Sequence, residues 1–200
     1  IFNLKKRKFL MQNYIFFTFF KSQYFNIPKN KIVENKYRYI KKLNKFSQKK
    51  NNSIIILGSP FVSKRLMLKN EYIECLKFIK KNYMSIKILY FPHPKEDASI
   101  VKKLKLFKVI HSNFPIEIYL LNSKFLPLKI IGLNSTAFIT IRALFNKKIK
   151  LENYFYFHND NKNILLDNNY KFQQKIISYF LKYMKIKTKP INSERSASLH

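Results

Sequence analysis

The chain has 200 residues, 46% of them hydrophobic and 16% aromatic; this suffices for one domain with a real core and excludes a disordered chain. Its formal net charge is +30, from 40 Lys+Arg against 10 Asp+Glu, so its expected partners are anionic: nucleotides, phosphosugars, nucleic acid or anionic lipid. The single cysteine, Cys75, excludes an internal disulfide and reads as a small buried hydrophobe in a reducing cytoplasm.

Lys, Asn, Ile, Phe and Tyr are abundant together, the mark of an AT-rich coding sequence, and this tempers a specific reading of the charge. Arginine, the commonest base-reading side chain, is scarce, which argues against nucleic acid as the partner. Residues 1 to 50 form a basic and aromatic extension. Lys5-Lys6-Arg7-Lys8 precedes Phe9-Leu10-Met11, and Tyr14 to Phe20 is strongly apolar. The run is too short to span a bilayer, which needs roughly 20 apolar residues. It suits an anionic membrane surface, or a helix packed on more protein. Pro28 breaks the segment, and Tyr37 to Phe46 reads as a short basic helix.

From residue 53 the pattern alternates. Ile54 to Leu57 is a continuous apolar run, β-branched up to Ile56, ended by Gly58-Ser59-Pro60, the look of a strand buried on both faces. Asn70 to Asn82 has helical spacing, with Asn70 as N-cap. Ile86 to Tyr90 is a second strand, followed by Phe91-Pro92-His93-Pro94-Lys95-Glu96. Ala98 to Leu106 is a helix and Lys108 to Ile110 a third strand. Phe114-Pro115-Ile116-Glu117 opens a short helix through Leu121, with Pro115 in its first turn. Leu128 to Ile131 is a fourth strand closed by Gly132. Asn134-Ser135-Thr136 caps a helix from Ala137 to Phe145. Ile149 to Phe157 holds a fifth strand, Tyr170 to Met184 a closing amphipathic helix, and residues 191 to 200 a disordered tail.

Strands alternating with helices at this spacing predict right-handed βαβ units and a parallel, Rossmann-like α/β sheet over residues 51–190. The polar turns at Gly58, His93, Glu117 and Ser135 then line the C-terminal edge of the sheet, where such folds bind ligands. His93 is held between two prolines that stiffen its backbone; it can be a general acid, a donor to phosphate, or a turn residue. Glu117 suits a helix N-terminus and can also accept from ribose hydroxyls. Ser135 and Thr136 can hold carboxylate or phosphate at a helix N-terminus, or serve as caps. Gly58-Ser59-Pro60 is neither a dinucleotide fingerprint nor a P-loop. No HxxxH, CxxC or carboxylate cluster predicts a metal site, and no GxSxG predicts covalent hydrolysis.

The order Leu-Gly-Ser-Pro, Tyr-Phe-Pro-His-Pro-Lys-Glu, Phe-Pro-Ile-Glu and Gly-x-Asn-Ser-Thr-Ala resembles the C-terminal half of bacterial lipooligosaccharide sialyltransferases and capsule polysialyltransferases. The resemblance covers about residues 53 to 150. It implies one half of a two-domain GT-B fold that binds the donor CMP-sialic acid and transfers sialic acid to a bacterial surface glycan, with no metal and no further cofactor. It implies His93 as the catalytic group at the CMP phosphate, Glu117 at the ribose, Ser135 and Thr136 at the phosphate end, and Gly58 and Pro94 beside them. In those families an acidic pair followed by glycine comes after the first strand; here the comparable place reads Ser63-Lys64-Arg65. Residues 1–50 are also short for an acceptor domain, which points to a truncated or inactive enzyme. Two other readings use the same features: a non-catalytic nucleotide- or nucleic-acid-binding module, and a peripheral protein on the inner face of the cytoplasmic membrane.

Overall fold

The structure is a computed structural model; it describes residues 16–18, 32–35, 37–43, 48–96, 99–100, 107–156, 178, 181–182 and 184–191. The chain divides into two compact units, Ile1–Lys45 and Phe46–His200. In the first, the short strands β1 (Phe16–Thr18) and β2 (Ile32–Glu34) pair in parallel, Phe16 with Ile32, and α1 spans Arg38–Leu43. Within the apolar run, Phe16–Thr18 thus forms a strand rather than a helix, in keeping with its aromatic and β-branched content. The basic segment Lys5–Lys8 and the tail 192–200 lie outside the described residues, as does most of the sequence read as a closing helix.

The second unit holds the parallel sheet. Its strands are β3 (Lys49–Leu57), β4 (Lys87–Phe91), β5 (Lys108–Val109), β6 (Phe125–Leu133), β7 (Lys150–Tyr156) and β8 (Lys187–Ile191). Their spatial order is β5-β4-β3-β6-β7-β8, and every pairing is parallel. Counted from β3 as first, this is the 3-2-1-4-5-6 order of a doubly wound fold. The order reverses between β3 and β6, and doubly wound folds bind ligands outside the carboxyl ends of the strands at such a point.

The helices follow from the residues that the strands leave apolar. Ile54 and Ile56 of β3 face one side, where α2 (Lys69–Lys81) packs Tyr72, Cys75, Leu76 and Ile79 against them. Ile55 and Leu57 face the other, against Ile116 and Leu120 of α3 (Ile116–Asn122) and Phe138, Ile141 and Phe145 of α4 (Ala137–Phe145). Alternate residues of one strand therefore feed two cores, as a sheet buried on both faces requires. The reading of the sequence as a parallel α/β sheet holds.

Several boundaries differ from the sequence reading. β3 begins at Lys49, because polar, exposed Lys49–Asn51 pair through their backbones with Phe125–Pro127. A bulge between Asn51 and Ile54 accommodates Pro127, which has no N–H to donate. Gly132 lies inside β6 and does not end it. The N-cap of α2 is Leu68 and not Asn70; the Leu68 N–H donates to the Glu71 carboxylate at 3.1 Å. Pro115 is the N-cap of α3, one residue ahead of its first turn. Lys187–Ile191 forms a sixth strand that the sequence reading lacked, and its last residue, Ile191, is buried.

Candidate functional site

The register places three turns side by side. Leu57 pairs with Phe91 on one flank and with Gly132 on the other. The segments beginning Gly58, Pro92 and Asn134 therefore leave the sheet within one residue of the same level, and α3 begins beyond β5.

The turn after β4 is a closed loop of hydrogen bonds. The Glu96 N–H donates to the His93 carbonyl at 2.9 Å, a turn in which Pro94 takes the second position that its fixed φ suits. The Lys95 N–H donates to His93 Nδ1 at 3.0 Å. With Nδ1 an acceptor, the proton of the neutral ring sits on Nε2. The His93 N–H donates to Glu96 Oε2 at 3.0 Å, and the Tyr90 hydroxyl donates to Glu96 Oε1. Behind it the Tyr72 and Tyr90 hydroxyls lie 3.1 Å apart, and the Tyr72 hydroxyl accepts from the Ser59 N–H at 2.9 Å. Burial raises the pKa of both phenols, which stay neutral donors.

Gly58 belongs to this cluster for steric reasons. A Cβ there would stand 2.8 Å from the His93 nitrogen and 2.8 Å from the Tyr90 hydroxyl, and closer still to a Glu96 oxygen. Its φ is not positive, so glycine is needed for space. The Ser63 hydroxyl lies 2.6 Å from the Lys95 carbonyl and links the turn after β3 to the same loop. Ser63-Lys64-Arg65 thus brings a cation, and no carboxylate, toward His93. Burial first, then the charges of Lys64 and Lys95, lower the His93 pKa below its usual 6.5. The imidazole is neutral at neutral pH and presents an Nε2–H.

Glu117, in the first turn of α3, accepts a hydrogen bond from Thr140 of α4 and so ties the two helices together. Asn134, at φ 48°, exchanges bonds with Asn153 of β7: its N–H donates to Oδ1 at 2.7 Å, and the Asn153 amide donates to its Oδ1 at 2.8 Å. Asn134 therefore does not cap α4. Thr136 holds the N-cap position but makes no side-chain cap bond, so its hydroxyl is not used up by the helix. Ser135 folds over Gly132, its Cβ 3.3 Å from where a Gly132 Cβ would be. His93, Pro94 and Gly58 are thus brought into one bonded cluster, while Glu117 is held by α4 and Ser135 by β6. Glu71 sits in the N-terminal turn of α2, where its carboxylate accepts from the Leu68 N–H.

Sequence reasoning missed Glu96. The signal was its spacing: a glutamate three residues after His93 can reach back to that residue's N–H, as in a capping box. Burial, then Glu71, pushes the Cys75 thiol up to about 12, so Cys75 is no nucleophile. Among the described residues no group of three or more His, Cys, Asp or Glu side chains is placed to hold a metal ion, and no helix is long and apolar enough to cross a membrane.

A doubly wound α/β unit with its polar turns gathered at the carboxyl edge is a Rossmann-like domain. The model of glycosyltransferase family 52 matches residues 14–152, well over half of the chain, and the chain belongs to that family. It is a sialyltransferase-like glycosyltransferase by that membership. A search of curated proteins finds no match.

Proposed function

We propose that the carboxyl edge of this sheet binds the CMP moiety of CMP-sialic acid and that the domain is the donor half of a GT-B sialyltransferase acting on a bacterial surface glycan. The observation that carries the reading is the His93 turn. A neutral imidazole that carries its proton on Nε2, beside Lys64 and Lys95, stands at the end of the strand next to the switch point. In transfer, the bond between the anomeric carbon and the phosphate oxygen breaks, and its electron pair stays on CMP. The acceptor hydroxyl oxygen bonds to that carbon and its proton goes to a base. His93 donates a hydrogen bond to the departing phosphate oxygen, where charge develops, and the lysines add favourable potential. In this reading Glu117 holds the ribose, Ser135 and Thr136 hold the phosphate end of the donor, and no metal or further cofactor takes part. The chain works at the inner face of the cytoplasmic membrane, where its basic surface meets anionic lipid.

Calorimetric titration with CMP tests the donor site. CMP binds, and His93→Ala weakens it by about 1–3 kcal/mol, the range for a charge-assisted hydrogen bond. Absence of CMP binding, or an unchanged affinity in the variant, overturns the reading. Ser63-Lys64-Arg65 favours a second reading, a domain that binds nucleotide without turnover. A transfer assay with CMP-sialic acid separates the two: sialylated product excludes the second.

A further inference from the structure

We propose that Glu96 is the positioning residue of this site: its carboxylate, seated over Gly58, fixes the backbone at His93 and with it the direction of the imidazole. The functional part of the proposal rests on the donor-site reading above; the structural part does not.

Three independent contacts converge on one carboxylate. Oε2 accepts the His93 N–H at 3.0 Å, Oε1 accepts the Tyr90 hydroxyl, and the missing Cβ of Gly58 supplies the space that the carboxylate occupies. Tyr90 is itself fully buried and stacked on Phe107, ring centroids 5.9 Å apart. Its hydroxyl adjoins that of Tyr72, which holds the Ser59 N–H. The carboxylate thus joins the turn after β4 to the turn after β3 through groups that have little freedom to move. The geometry does not suit Glu96 as the base of the transfer, because both of its oxygens already accept hydrogen bonds. Its effect on chemistry runs through His93, whose ring is further held by the Lys95 N–H on Nδ1.

The test is the titration of the His93 imidazole by NMR, in the full chain and without nucleotide. Burial, Lys64 and Lys95 hold its pKa below 6.5. If Glu96 acts by position, Glu96→Ala frees the turn, the ring gains water and draws away from the lysines, and the pKa rises toward 6.5. If Glu96 acts only through its charge, removing a carboxylate lowers the histidine pKa. The sign therefore decides. Gly58→Ala is expected to raise the pKa as Glu96→Ala does, and the double variant to go no further than Glu96→Ala alone. Glu96→Gln keeps an acceptor for the His93 N–H and is expected to stay near the wild type. Should Gly58→Ala not fold, Tyr90→Phe serves in its place, with a smaller rise. A fall or no change in Glu96→Ala overturns the proposal. In CMP titrations Glu96→Ala is expected to bind about tenfold more weakly, the loss that follows one misdirected hydrogen bond. Wild-type protein that does not bind CMP sinks the donor-site reading, while the titration still decides the clamp.

Discussion

His93 carries a tension between binding and acid chemistry. Its neighbours Lys64 and Lys95 attract a phosphate but oppose a proton on the ring, and half-burial opposes it further. The resting imidazole is therefore a hydrogen-bond donor and not an imidazolium, as an outright leaving-group acid would be. A phosphate placed beside it would offset the lysine charges and favour the proton. One consequence is measurable without ligand: Lys64→Gln is expected to raise the His93 pKa, yet leave it below 6.5, because burial is the larger cause. The imidazole carbon shifts followed against pH check this. A value unmoved by the substitution would mean that Lys64 is too far or too well hydrated to act on the ring. The sequence placed Lys64 where the family resemblance leads one to expect an acid. What it did not carry is the turn that brings this segment to His93, built by backbone bonds over residues 60–66 and tied by the Ser63 hydroxyl to the Lys95 carbonyl.

Among the elements, β6 and α4 meet at Gly132. An alanine Cβ there would lie 3.1 Å from Phe138 Cζ and 3.3 Å from Ser135 Cβ, closer than packed carbon atoms normally come. Gly132→Ala is expected to push α4 off the sheet, costing about 1–3 kcal/mol as overpacked cores do, and to shift the Ser135-Thr136 turn with it. Denaturant unfolding should show a lower midpoint with an unchanged slope; an unchanged midpoint would mean that the helix yields freely. Gly132 also shows why sequence reading placed the strands but not their ends. The runs Ile54–Leu57, Ile86–Tyr90 and Leu128–Ile131 are visible because their apolar residues feed the cores on the two faces of the sheet. Lys49–Asn51 join β3 by backbone pairing alone, which leaves no trace in side-chain pattern, and Gly132 gives clearance to a helix where a turn was expected. β8 hides for a different reason. An edge strand protected by lysines and Pro190 has the composition of a loop because that composition discourages further pairing. The site divides in the same way. Its four turns follow from strand order, whereas the Gly58–Glu96 contact exists only once two turns are folded together.

Across the whole molecule, an excess of cations makes each buried carboxylate consequential. Glu152 of β7 is 4% exposed. It accepts from Lys129 of β6 at 2.6 Å, Lys189 of β8 at 2.6 Å and the Tyr83 hydroxyl, after α2, at 2.7 Å. The Lys129 ammonium also lies 4.5 Å above the Tyr83 ring. One carboxylate thus joins three strands and the end of a helix on one face of the sheet, away from the carboxyl edge. Burial pushes its pKa up, but the bonds from Lys129, Lys189 and Tyr83 outweigh it and bring the pKa down from 4.5 to about 2. A depressed carboxylate contributes stability above its unfolded pKa and loses it as pH falls through the folded one. The contribution is therefore complete above about pH 4.5 and disappears between there and about pH 2; a shift of this size corresponds to on the order of 3 kcal/mol. Acid also removes the few other negative charges, and the growing self-repulsion of a +30 chain destabilises the fold by itself. Glu152→Gln isolates the local effect, since both proteins share that repulsion. At neutral pH the variant leaves two ammonium groups against a neutral amide and is expected to be markedly less stable than the wild type. Guanidinium unfolding at a series of pH values should then show the gap between the two proteins narrowing from pH 4.5 downward. A gap that stays constant with pH would show that Glu152 acts through shape and hydrogen bonding, and that its charge is not what holds the three strands together.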